Sequence, residues 1–66
     1  MNDYSTETTE RLKELITVLY EDIADFGAVN DDIIRMDMLQ EELQKRIGKE
    51  DRESFLIKVR DHIFTD

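Results

Sequence analysis

NDDIIRMDMLQEELQKRIG, residues 30–48, is the stretch that decides the fold. Ile33, Met36, Leu39, Leu43 and Ile47 recur at three- and four-residue steps. At about 100° per residue these positions form one apolar stripe, as an amphipathic helix requires and a strand does not. Asn30 suits the N-cap, because its side-chain oxygen can accept a backbone N–H left free at a helix start. Asp31 and Asp32 fall in the first turn and Lys45 and Arg46 in the last, the order that the helix dipole favours. Glu41–Lys45 and Glu42–Arg46 add i,i+4 pairs in the favourable direction. Gly48 is a stop signal. The spacing predicts a helix over residues 31–47.

The same period continues on both sides. Leu12, Leu15, Ile16, Leu19, Ile23 and Phe26 form an inward stripe, predicting a helix over residues 5–26. Ser5 or Thr6 is expected to cap it, Glu7 to pair with Arg11, and Gly27 to end it in the left-handed conformation. Phe55, Leu56, Val59 and Ile63 share a face, predicting a third helix over residues 51–64 with Asp51 as its cap. Residues 1–4 are expected to be unordered. The short connections around residues 27–30 and 48–50 imply antiparallel neighbours. The fold class is therefore all-α, a small antiparallel three-helix bundle forming one domain across residues 1–66.

Size and composition restrict the function. With 66 residues, a chain buries only about 60% of the surface exposed when unfolded, so its margin of stability is thin. There is no cysteine, hence no disulfide framework or thiolate metal site, which suits a reducing cytoplasm. No apolar run approaches the roughly 18 residues a membrane span needs. The opening MNDYSTETTE is polar and acidic, unlike a signal peptide. A cytoplasmic protein without a membrane partner is expected.

The formal net charge is −8. Residues 1–32 hold nine acids against two bases, a balance of −7, while residues 33–66 hold eight against seven, a balance of −1. Such a chain is repelled by nucleic acid and by anionic membranes, so the expected partner is a protein with a basic surface. The charge concentrates in LYEDIADFGAVNDD, residues 19–32. Asp31 and Asp32 already serve the second helix. Glu21, Asp22 and Asp25 stand near the end of the first, where each opposes the dipole by roughly 0.3–1 kcal/mol at low salt. Sites that break a local rule are often functional. The acidic partner-binding set is therefore Glu21, Asp22, Asp25, Asp31 and Asp32.

Other apolar residues do not fit the stripes. Ile34 and Met38 point away from the second helix's main face, Ile57 and Phe64 from the third's, and Val18 and Tyr20 flank the first. An aligned second stripe on a small polar domain suggests an interface, either with another protein or in a homo-oligomer, a dimer being favoured.

No catalytic, cofactor-binding or metal-binding residues are assigned. His62 is the single histidine, and zinc needs three or four ligands. Glu21 and Asp25 could share only a weak cation. AVNDDIIRMDML does not follow the calcium-loop pattern, and glycine-rich phosphate loops are absent. An enzyme is not expected. The outline is similar to that of small helical hairpins regulating sporulation kinases and phosphorelays. The Ser-Gln-Glu-Leu-Asp motif of the phosphatases among them is missing from MDMLQEELQ, and the Asn-x-Asp-hydrophobic-Ile start of the small kinase inhibitors is matched only at Asn30–Ile34. Neither family is assigned.

The expected function is that of a small acidic protein-binding regulator, an inhibitor or antitoxin-like protein of the kind phages and mobile elements encode. One alternative is a homo-oligomeric structural or adaptor protein. Another is a DNA mimic. A helix of about 18 residues is about 27 Å long, so eight net charges give about one per 3–4 Å. Duplex DNA carries one per roughly 1.7 Å, and a single copy is too dilute to match it.

Overall fold

The computed structural model describes residues 4–64. A single 3₁₀ turn, Tyr4–Thr6, precedes three helices: α1 (Thr9–Phe26), α2 (Asn30–Ile47) and α3 (Lys49–Phe64). All three pack against one another, and there is no strand among the described residues. The protein is an all-α three-helix bundle. Its core is built from the stripes read in the sequence. Leu12, Ile16 and Leu19 of α1 meet Met36, Leu39 and Leu43 of α2, with Leu56 and Val59 of α3 closing the third side. Leu15, Ile23, Ile47 and Phe55 pack partly buried around them, as do Tyr4 and Tyr20.

Two residues assigned to the inward stripes are not inside. Phe26 is 85% exposed and Ile33 54%. Each points in the right direction, but they lie in the last turn of α1 and the first turn of α2. Neither packs against the core cluster. A helical wheel reports direction and says nothing of depth.

The helix ends differ from expectation. Thr8 caps α1, its hydroxyl oxygen accepting the Arg11 N–H at 3.1 Å. Ser5 and Thr6 instead belong to the separate 3₁₀ turn. Arg11 consequently pairs with Glu14 at 2.6 Å rather than with Glu7, which lies outside the helix. Asn30 is the first helical residue of α2, and Val29 holds the cap position without a side-chain bond. α3 begins at Lys49, so Asp51 falls in its first turn rather than at its cap. The Gly48 carbonyl accepts the Arg52 N–H at 3.0 Å, so Gly48 alone joins α2 to α3. Tyr4, expected among unordered residues, lies in the 3₁₀ turn, half-buried against the core; residues 1–3 lie outside the described chain.

Gly27 and Gly48 end α1 and α2, but not in the left-handed helical conformation. Their φ, ψ values are 84°, 161° and 92°, 165°. The left-handed region has ψ near +47°. The region found here is open essentially to glycine alone. Each glycine N–H closes the preceding helix, donating to the Ile23 carbonyl at 2.8 Å and to that of Gln44 at 2.9 Å.

Candidate protein-binding surface

The antiparallel hairpin brings the acidic set to one end of the bundle. Glu21, Asp22 and Asp25 lie in the last turns of α1, and Asp31 and Asp32 in the first turn of α2. Four of the five are exposed and Asp32 is half-buried. Among the described residues none of the five forms an ion pair, and α1 carries no base in its last turn. Phe26 and Val29 run between the two acidic groups and Ile33 follows the second, all three exposed. The turn of the hairpin is thus an apolar tip set among carboxylates. Val29 stands in the connection rather than on a stripe, and Phe26 and Ile33 had been assigned to the core, so the reading of the sequence missed this tip.

The six apolar residues expected at an interface do not form one surface. Tyr20 is largely occupied within the molecule: its ring meets Phe64 edge to face, with centroids 6.4 Å apart and planes at 89°. Ile57 lines a hollow beside Tyr20, between α2 and α3. Val18 and Met38 flank a different groove, along α1 and α2. Val18 lines a hollow of about 240 Å³ with Leu15, Leu19, Leu39, Asp22 and Arg35. Met38 lines a neighbouring hollow of about 170 Å³ with Glu41, Glu42 and Lys45, and Tyr4 lines both. Ile34, one turn before Met38, is exposed on the same side of α2.

Two arginines have structural roles beyond those read from the sequence. Arg46 pairs with Glu42 at 3.2 Å, as the i,i+4 spacing predicts. Its guanidinium also donates to the carbonyls of Glu7, Tyr4 and Ser5, the last at 2.8 Å. It thereby ties the 3₁₀ turn across α2. Arg52 lies on the inward face of α3, 17% exposed, and donates to Gln40 Oε1 at 3.0 Å. Its Nε is buried without a hydrogen-bond partner. The signal for Arg52 was available, because it stands three and four residues before Phe55 and Leu56 and so shares their face.

His62 lines a shallow hollow with Glu21 and Asp25 across α1 and α3. Among the described residues no group of three or more acids, histidines or cysteines is arranged to hold a metal ion. Nor is any described helix long and apolar enough to cross a membrane. No protein-family model, curated protein or solved structure matches the chain.

Proposed function

We propose that this protein is a regulator that binds another protein, in the manner of an inhibitor or antitoxin, through the α1–α2 turn. The observation that carries the reading is Phe26, exposed at the tip of the hairpin between two groups of unpaired carboxylates. A large apolar side chain gains roughly 1.5–3 kcal/mol on full burial, so Phe26 serves as an anchor once a partner covers it. The surrounding acids supply orientation and rate, since complementary charge steers encounter more than it holds a complex together. The fitting partner has an apolar depression ringed by Lys and Arg. A cysteine-free chain would meet such a partner in a reducing compartment such as the cytoplasm. The apolar tip also favours a protein surface over mimicry of DNA, because a phosphate backbone has no counterpart to Phe26 and Val29.

Affinity capture with paired baits tests this. Wild-type protein should retain a basic partner that Phe26→Ser loses. Charge reversal at Glu21 and Asp25 should slow association about tenfold at low salt and much less at high salt. Capture and association indifferent to both changes would overturn the proposal.

A further inference from the structure

We infer that the α1–α2 face bearing Val18, Asp22, Arg35 and Met38 is covered by the same face of a second copy, in a two-fold dimer whose axis runs along the helices. The inference is independent of Phe26, although it assigns Asp22 of the acidic set to contact between copies. It starts from the meagreness of the core. Among the described residues eight apolar ones are buried, and eight large ones remain exposed. The body is also flat, 32 × 27 × 16 Å, and a flat molecule leaves much of its apolar surface uncovered.

The charges of this face identify the occupant. Asp22 from α1 and Arg35 from α2 line the same apolar hollow, and neither forms an ion pair among the described residues. One unpaired charge of each sign on one rim is self-complementary. A purely basic partner would be opposed by Arg35, and a purely acidic one by Asp22.

The register then selects the axis. Asp22 stands five residues before Gly27 and Arg35 six after Val29, while Val18 and Met38 stand nine before and nine after the same residues. In an antiparallel hairpin equal counts mean equal heights. A two-fold axis along the helices lays α1 over α2 of the other copy. Asp22 then faces Arg35 of the partner subunit, Val18 faces Met38 of the partner subunit, and each contact occurs twice. A two-fold axis across the helices would lay α1 over α1 of the other copy, which leaves Asp22 without access to Arg35 of the partner subunit on α2.

The test uses the protein alone. Sedimentation equilibrium should give a dimer. Asp22→Arg and Arg35→Asp should each weaken it about tenfold or more, because the symmetry counts each change twice. The double variant, D22R with R35D, should restore it. Both substitutions lie on exposed helix positions, and circular dichroism separates loss of the dimer from loss of the fold. The absence of cysteine permits a second test of the axis. Val18→Cys chains mixed with Met38→Cys chains should cross-link on oxidation, and neither should do so alone. A wild-type monomer at millimolar concentration would overturn the inference. So would a dimer indifferent to both single reversals, a double variant that fails to recover, or cross-linking of Val18→Cys chains with themselves.

Discussion

Gly27 shows how much one backbone conformation can demand. At φ 84°, ψ 161° it occupies a region that side chains other than hydrogen do not enter readily. A Cβ there would meet no other atom within 4 Å, so any cost of substitution is a backbone cost. Gly27→Ala should lower stability by about 1–3 kcal/mol, read from the urea midpoint. Gly27→Asn should recover nothing, whereas asparagine is tolerated in the true left-handed region. A substantial recovery with Asn would show that the turn relaxes into that region. Arg46 is the other residue whose role exceeds its place in the sequence. Arg46→Met removes three charge-assisted bonds at once, two to the 3₁₀ turn and one to the Glu7 carbonyl just after it. It should cost about 1–2 kcal/mol. Exchange of the Glu7 N–H, which is bonded to the Tyr4 carbonyl at 3.1 Å, should accelerate while the amides of α1 and α2 stay protected. An unchanged Glu7 exchange rate would mean that Arg46 does not hold the turn.

Among the elements, α2 and α3 make the clearest contrast. In α2 the acids of the first turn, the bases of the last, the apolar period and the closing glycine all agree, and the observed helix starts one residue earlier than expected. α3 is less consistent. Its inward face contains Arg52, largely buried, with one nitrogen unpartnered. Burying a donor without a partner is costly, and an apolar side chain of similar length avoids that cost. Arg52→Met should therefore leave stability within about 1 kcal/mol of wild type, or raise it, despite the lost bond to Gln40. A loss as large as that of Arg46→Met would show that the Gln40 contact holds α2 to α3. The two arginines look alike in sequence, six residues apart, and differ because one reaches three backbone carbonyls while the other reaches the Gln40 side chain and leaves its Nε without a partner.

At the scale of the whole molecule the core is small enough for one side chain to matter. A chain of 66 residues has a total stability of about 3–10 kcal/mol at the usual 0.05–0.15 kcal/mol per residue. Leu43 is fully buried between α1 and α2. Leu43→Ala should cost about 2–5 kcal/mol, a large share of that total. Ile57, half exposed on α3, should lose no more than about 0.5 kcal/mol on the same truncation. Equal losses in thermal melts would mean that Ile57 is covered in solution. The proposed dimer would change the surface rather than this core. With its axis along the helices, it would set both acidic turns at the same end of the assembly.

Periodicity determined the helices and nearly all of the core, and the short connections at Gly27 and Gly48 determined the helices' antiparallel order. Leu12, Ile16, Leu19, Leu39 and Leu43 are buried because a side chain's direction around a helix follows from its spacing, and spacing is written in the chain. The acidic end was legible for the same kind of reason: charges near a helix terminus stay near it in any fold. Depth was decided by the tertiary structure. Phe26 and Ile33 have the direction of core residues and lie beyond the core's end, exposed. Tyr20 has the direction of a boundary residue and finds Phe64 beside it. The grip of Arg46 on Tyr4, Ser5 and Glu7 joins residues about forty positions apart. No local rule reaches that far, because such a contact depends on how three separately determined helices come to rest against each other.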